Sequence, residues 1–301
     1  MRIVRWIGIG IGSLAALLLV AAVAVYALSS ARLNQTVVVP EETIAIPSDP
    51  ASIERGRHLA TSIGQCVDCH GDNLAGREFL NAPGIGRFNS ANLTGGQGGA
   101  GQTFSDADWV RALRHGVGKD GKPLLIMPAQ GFNSLSAEDL GALIAYVKSV
   151  PAVDNVPPAS DVQILGRALF VLGQIQALAA ETIDHAAPIT PAVQPGVTKE
   201  YGQYLVRVGG CADCHGPNLS SGPMTGAPPD VPPAANITPG GEIVGWTEQQ
   251  FIETIRTGVN PAGKPLNPFM PYKYLGQLSD DELKAMFVYL RSLEPVGYGV
   301  R

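Results

Sequence analysis

The sequence is short of charge, of cysteine and of candidate metal ligands, and each shortage narrows the reading. Of 301 residues only 16% are charged, and the net charge is −5. Nothing there builds the basic surface that nucleic acid requires. There are four cysteines, five histidines and five methionines. No alternating apolar pattern of the kind that marks strands competes with the helical periodicity described below. The mean hydropathy of +0.12 is raised by an apolar N-terminal run and by alanine.

One motif consumes all four cysteines. Cys66-Val-Asp-Cys69-His70 and Cys211-Ala-Asp-Cys214-His215 are two copies of C-x-x-C-H, the attachment signature of c-type haem. The cysteines form thioethers to the haem vinyl groups, and the histidine ligates iron. No cysteine is left for a disulfide, a zinc site or a lipid anchor. The expectation is two covalent haem c groups, held by Cys66, Cys69, Cys211 and Cys214, with His70 and His215 as iron ligands.

An internal repeat surrounds the motifs. One copy occupies 49–153 and the other 197–299. Aligned on the cysteines, Gly56 and Leu59 fall opposite Gly202 and Leu205, and Asn92-Leu-Thr94 opposite Asn236-Ile-Thr238. Arg114-His115-Gly116-Val117 matches Arg256-Thr257-Gly258-Val259, and Met127-Pro128 matches Met270-Pro271. Each copy is the size of one domain, so the repeat is two folded units and not a solenoid.

The copies read as helical. Ser136-x-x-Asp139 and Ser279-x-x-Glu282 are start signals for the last helix of each. Leu140, Leu143, Ile144 and Val147 then follow at i, i+3, i+4, i+7, as do Leu283, Met286, Phe287 and Leu290. Another helix starts near Ser105 and near Thr247. Gly56 and Gly202 lie inside the helix before each C-x-x-C-H. Glycine weakens a helix, which suggests close packing, here against Tyr146 and Tyr289; tolerated glycines on an exposed face are the alternative. The fold class is all-α.

The second axial ligand is sought by elimination, since a shared ligand should recur in both copies. Met127 lies 57 residues after His70, and Met270 lies 55 after His215. Outside the pentapeptides no other histidine or methionine recurs. His58 aligns with Tyr204, His115 with Thr257, Met224 with Phe79 and Met286 with Leu143, while His185 falls between the copies. Met286 sits on a helix stripe as core filler. Met127 and Met270 sit in proline-flanked loops and are the expected ligands. His115 is the rival in the first copy, where it would make the site bis-His; otherwise His58, His115 and His185 read as solvated or hydrogen-bonded surface imidazoles. Thioether ligation raises the potential and fills the iron, which argues for electron transfer and against catalysis at the metal.

A supporting shell is also readable. Pro83 and Pro228 each lie 13 residues after their histidine. Their carbonyls are the expected acceptors for the second ring N–H, with ordinary loop prolines as the alternative. Arg114 and Arg256 suit haem propionates or the C-terminal end of their helix. Asn92 and Asn236 match a glycosylation pattern, but their recurrence at one point of the repeat suggests loop-structuring residues beside the haem.

Together these features resemble class I c-type cytochrome domains: helix, C-x-x-C-H, long haem-wrapping loop, Asn-[Leu/Ile]-Thr, helix, Met-Pro, final helix. More narrowly, the chain is similar to the multihaem cytochrome subunits of bacterial membrane-bound dehydrogenases that oxidise alcohols, aldehydes or gluconate. The resemblance covers both repeats, about two-thirds of the chain. Those subunits commonly carry three haem motifs; this chain has two, and its hydrophobic segment is N-terminal. The resemblance implies two tandem cytochrome c domains.

Arg2 and Arg5 precede an uncharged stretch from Trp6 to Ser30. At about 1.5 Å per residue it can cross a bilayer core of about 30 Å. Residues 1–32 therefore read as a membrane anchor with its arginines cytoplasmic. The chain would be a single-pass protein of a bacterial inner membrane, with its haem domains in the periplasm. A cleaved signal peptide is the rival, with small residues at Ala22-Val-Ala24, although the apolar run exceeds the roughly 7–15 residues of a signal core. Residues 154–196 match neither copy. Ile164, Leu165, Ala168, Leu169, Leu172 and Ile175 recur at helical spacing between proline-rich flanks. This spacer is expected to pack on both haem domains, or else to lie on the membrane surface or a partner.

The function expected is periplasmic electron transfer by a carrier that is not itself an enzyme. Electrons would come from a membrane dehydrogenase or a quinol-oxidising complex and leave to a soluble cytochrome or terminal oxidase. The weakly charged surface suits docking to such a membrane complex. The alternative is a fixed cytochrome subunit of a dehydrogenase complex. A dihaem enzyme such as a peroxidase would need an open iron site. The expected partners are these redox proteins and, through the N-terminal helix, the membrane, with no nucleic acid.

Overall fold

A computed structural model describes residues 2–222 and 231–300. The chain opens with α1 (Arg2–Leu33), whose 32 residues run about 48 Å. In the first repeat α2 (Pro50–Thr61) leads to the five-residue α3 (Cys66–His70). A hairpin of β1 (Glu78–Ala82) and β2 (Gly86–Asn89) follows, then α4 (Asp106–His115), the single turn α5 (Ala129–Phe132) and α6 (Ala137–Ser149). The spacer holds β3 (Asp161–Val162) and α7 (Ile164–Val171). The second repeat comprises α8 (Lys199–Val208), α9 (Cys211–His215), α10 (Glu248–Thr257), α11 (Tyr272–Leu275) and α12 (Asp280–Arg291).

Local chemistry sets most helix starts. Asp49 caps α2, with Pro50 at the first helical position. Ser105 with Asp108, Thr247 with Gln250 and Ser279 with Glu282 form full capping boxes. Ser136 accepts the Asp139 N–H, but that box stays half-made. The Asp139 carboxylate is drawn away to Arg55 and to the Tyr204 hydroxyl at 2.9 and 2.7 Å.

In each repeat the first helix crosses the last at a glycine. A Cβ on Gly56 would lie 1.9 Å from the Ala142 carbonyl oxygen and 2.8 Å from the Tyr146 Cβ. On Gly202 it would lie 1.9 Å from the Ala285 oxygen and 2.8 Å from the Tyr289 Cβ. The backbones touch where the side chain is missing, against the two tyrosines the sequence pointed to.

The fold is mostly helical, as expected, with one small three-stranded antiparallel sheet among the described residues that the sequence reading did not include. Its turn is Ala82-Pro83-Gly84-Ile85. The Ile85 N–H donates to the Ala82 carbonyl (3.0 Å). Gly84 has φ +81°, so proline and then glycine occupy the central positions of a type II turn. Gly86 and Arg87 pair in turn with Val162 and Asp161 of the spacer.

The two repeats share one apolar core and a pseudo-symmetric polar seam. His58 Nε2 meets Glu282 Oε2 at 2.7 Å, and its repeat equivalent Tyr204 donates to Asp139. Arg55 joins both acids, donating to Asp139 (2.9 Å) and to Glu282 (3.1 Å). Each domain's first helix thus grips the acid at the start of the other domain's last helix. Ile63 packs on the backbone of Gly209, so the turns before the two C-x-x-C-H helices abut.

Two further segments wrap domain 1. Residues 34–48 run extended over it: the Val37 N–H donates to the Gly121 carbonyl, and Ala45 lies on Gly141. The spacer helix does not serve both haem domains as expected. Its principal partners are α1 and the β1–β2 hairpin, where Gly166 rests on Ile85.

Candidate haem sites

Each C-x-x-C-H motif forms its own short helix. Positions i, i+3 and i+4 share a helix face, so Cys66, Cys69 and His70 face one way, as do Cys211, Cys214 and His215. None of the four cysteines is in a disulfide, so all four are available for thioether attachment. Burial pushes Cys66 and Cys211 up to about 12 and Cys69 to about 11, so these thiols carry no charge at neutral pH.

Both histidines are oriented by a carbonyl. His70 Nδ1 lies 2.7 Å from the Ala91 oxygen, and His215 Nδ1 lies 2.7 Å from the Ala235 oxygen. A carbonyl only accepts, so Nδ1 carries the hydrogen and Nε2 keeps its lone pair. Burial lowers the basicity of both rings against the pull of that hydrogen bond, which keeps them neutral. Nε2 has no hydrogen-bond partner among the described residues in either site.

These acceptors correct the assignment to Pro83, whose place is the type II turn of the hairpin. Pro228 lies outside the described residues, and the Ala235 carbonyl makes the hydrogen bond expected of it. The signal was present but misread: both acceptors immediately precede the repeated Asn-[Leu/Ile]-Thr. Asn92 and Asn236 are buried. Asn92 Nδ2 donates to the Val153 carbonyl (2.8 Å) and Asn236 Nδ2 to the Val296 carbonyl (2.8 Å). Their Oδ1 atoms accept from the N–H groups of Thr94 and Thr238 (2.9 Å each). The motif thus pins the segment whose carbonyl holds the histidine to the chain beyond the last helix.

The arginines are also reassigned. Arg114 is buried, 1% exposed. It donates to Glu42 (2.5 Å), to the Asn133 carbonyl (3.1 Å) and to the Ala187 carbonyl. Arg256 donates to the carbonyls of Gly276 and Leu278 and to Asp280. Each ties its helix to the loop between the Met-Pro pair and the last helix; the Arg114 guanidinium is buried in these bonds and is not free for a propionate, whereas Arg256 is partly exposed. His115 is not a surface residue. It is buried, with Nδ1 3.0 Å from His185 Nδ1 and Nε2 3.4 Å from Glu42. Neither ring nitrogen is free for iron.

Met127 and Met270 are half-buried against the same core as Cys66 and Cys211. Pro128 and Pro271 cap the single turns α5 and α11 that follow. Each turn then reaches the other domain's attachment helix. The Gln130 amide donates to Asp213 (3.0 Å), and the Tyr274 hydroxyl donates to Asp68 (2.9 Å). Asp68 and Asp213 occupy the same motif position in α3 and α9. The donor set fits haem c in both domains: each has paired uncharged thiols and a neutral imidazole with a free Nε2, and each has a methionine loop packed on the shared core.

Comparison with known proteins agrees. Residues 51–147 match the family described as cytochrome c oxidase, cbb3-type, subunit III, and residues 200–294 match cytochrome c. The chain is 29% identical over 272 residues to the fructose dehydrogenase cytochrome subunit of Gluconobacter japonicus, covering 84% of this chain and 55% of that one. It is 28% identical to the cytochrome c subunit of alcohol dehydrogenase (quinone) from Gluconacetobacter polyoxogenes, covering 83% and 57%. It is 29% identical to the gluconate 2-dehydrogenase cytochrome c subunit of Pantoea cypripedii, covering 82% and 60%. The chain spans a little over half the length of these relatives. Its two matched regions are those that carry the C-x-x-C-H pairs and the oriented imidazoles, so the chain carries two cytochrome c domains, each suited to one covalently bound haem c.

Proposed function

We propose that the protein is a membrane-held periplasmic electron carrier with His/Met ligation at both irons, His70 with Met127 and His215 with Met270. The observation that carries this reading is the matched pair of sites: a neutral imidazole with a free Nε2 and a proline-capped methionine loop in each. Haem iron supplies the one-electron change. The chain's residues orient the two rings and keep them neutral, and the two methionines would supply the second ligands. A histidine and a methionine on each iron would leave substrate no place to bind the metal, which favours electron transfer over chemistry at iron.

Two observations extend the reading. The reciprocal contacts Gln130–Asp213 and Tyr274–Asp68 join each attachment helix to the other domain's methionine loop, which supports electron passage between the sites within the protein. Relatives named as cytochrome subunits of fructose, alcohol and gluconate dehydrogenases favour a membrane dehydrogenase as donor. A quinol-oxidising complex is the other donor this reading allows, with a soluble cytochrome or terminal oxidase as acceptor. Near-infrared absorption of the oxidised protein tests the ligation. A methionine–iron band should be present and should lose about half its intensity in Met127→His and in Met270→His. Absence of the band from the parent protein would sink the assignment.

A further inference from the structure

We infer that the spacer helix α7 and the tip of the β1–β2 hairpin lie on the outer lipid interface, making a second membrane contact beside α1. The inference rests on the reading of α1 as a membrane span. That helix is apolar, with a mean hydropathy of 2.5 over its best window and no residue of that window buried. Its two aromatic residues are Trp6 and Tyr26, 71% and 59% exposed. Twenty residues of helix separate them, about 30 Å, the thickness of the hydrocarbon core. Such residues favour the two interfaces, so Tyr26 marks one boundary and the haem domains lie beyond it.

α7 sits at that boundary. The Arg167 guanidinium stacks over the Tyr26 ring at 4.4 Å and donates to the Ser29 and Ser30 hydroxyls (2.9 and 3.1 Å). Arg32 stacks over Phe170 at 4.0 Å and pairs with Glu181. Arginine with its head at the polar level and its stem on apolar surface is the pattern of an interface. Around these contacts large apolar side chains stand in the open. Ile164 is 54% exposed, Leu165 50% and Leu172 70%, with Leu80 of the hairpin at 42%. Leu165 also packs beside Gly84 at the hairpin tip. These side chains stand on elements packed beside α1 at its Tyr26 boundary, so the occupant that fits is the lipid interface. Because β3 pairs with the hairpin, the contact also fixes domain 1 relative to the bilayer.

Cysteine accessibility tests this cleanly, since haem attachment leaves no other free thiol. Leu165→Cys and Leu172→Cys are placed in full-length haem-loaded protein. The protein is reconstituted at low density in phosphatidylethanolamine/phosphatidylglycerol vesicles. Each thiol is reacted with a charged, water-soluble thiosulfonate and with a lipid-partitioning maleimide. Val244→Cys, exposed in domain 2, and Gly12→Cys, mid-way along α1, are the controls. The expected result is charged-reagent labelling at 165 and 172 at least ten-fold slower than at 244, relieved by detergent, with rapid labelling by the lipid-partitioning reagent. Rates at 165 and 172 equal to 244, with 12 protected, would overturn the inference and leave the span intact. Protection from both reagents would assign the face to protein contact and also overturn it. Free reaction of 12 with the charged reagent would overturn the span itself, and the inference with it.

Discussion

The helix crossings at Gly56 and Gly202 allow a test in which the sign of the effect decides. In an exposed helix, Gly→Ala stabilises by about 1 kcal/mol. Here the added Cβ would meet a carbonyl oxygen at 1.9 Å in either repeat, with the tyrosine Cβ 2.8 Å away. Side chains do not normally approach within 3.0 Å, so the last helix must back away by about 1 Å or more. That helix carries Leu140, Leu143 and Ile144, or Leu283 and Met286, which are packed in the core. Overpacking a close-packed core costs about 1–3 kcal/mol, and backbone on both sides places this case at the upper end. Net of the propensity gain, Gly56→Ala and Gly202→Ala should each destabilise by about 2 kcal/mol. For two domains that share one core, a unit of about 250 residues, that lowers the melting temperature by about 4–8 °C. Urea and thermal unfolding of the haem-loaded chain, followed by far-ultraviolet circular dichroism, measures it. A variant as stable as the parent, or more so, would refute the close crossing in that repeat.

Three other outcomes follow from single contacts. Arg114→Met leaves Glu42 without its guanidinium partner in a mostly buried site and should cost about 3–5 kcal/mol. Loss of haem potential with stability intact would restore the propionate role. Asn92→Ala and Asn236→Ala each strip a donor from a carbonyl and should cost about 1–3 kcal/mol. Unchanged melting temperatures would show that the motif does not pin the histidine-bearing segment. Burial works against ionisation of Glu282, yet the hydrogen bonds from His58 and Ser279 and the charge of Arg55 outweigh it and hold its carboxyl at about 2. A carboxyl held below its ordinary value adds stability that is complete above its unfolded range, near pH 4.5. That contribution, roughly 3 kcal/mol, is lost as pH falls towards 2. Acid titration of parent and Glu282→Gln should therefore diverge between about pH 5 and pH 2, and parallel curves would count against the seam.

What could be read from sequence was what the repeat states twice. The C-x-x-C-H pair, the capping serines and the glycine–tyrosine crossings all carry local signatures in both copies, and the structure places them as read. The acceptor of the histidine N–H carries no side-chain signature, because it is a carbonyl. Position relative to proline was a poor guide to it, and position relative to the buried Asn-x-Thr would have been a better one. The hairpin was missed because its strands are short and four of the five β1 residues are exposed. Only Pro83-Gly84 announced a turn. The role of Arg114 depended on Glu42, 72 residues away, in a segment with no counterpart in the second repeat.

The unmatched segments make the two sites unlike. In domain 1 the residue before the methionine, Ile126, has φ +64°, a strained conformation for a β-branched side chain. It is held there by the spacer: the Ile126 N–H donates to the Ala177 carbonyl (2.7 Å), and Leu125 bridges to Leu178. The same spacer supplies His185 to His115, beside Glu42 from the N-terminal segment. In domain 2 the residue before Met270 is Phe269. Its N–H is taken by the nearby Asn267 side chain (2.9 Å), and Thr257 replaces the histidine. The methionine loop of domain 1 is therefore buttressed by distant chain, and that of domain 2 by its own turn. Since strain persists only where the surroundings over-determine it, the domain 1 loop should be the more rigid of the two. The difference between the sites thus traces to 34–48 and 154–196, segments outside the repeat.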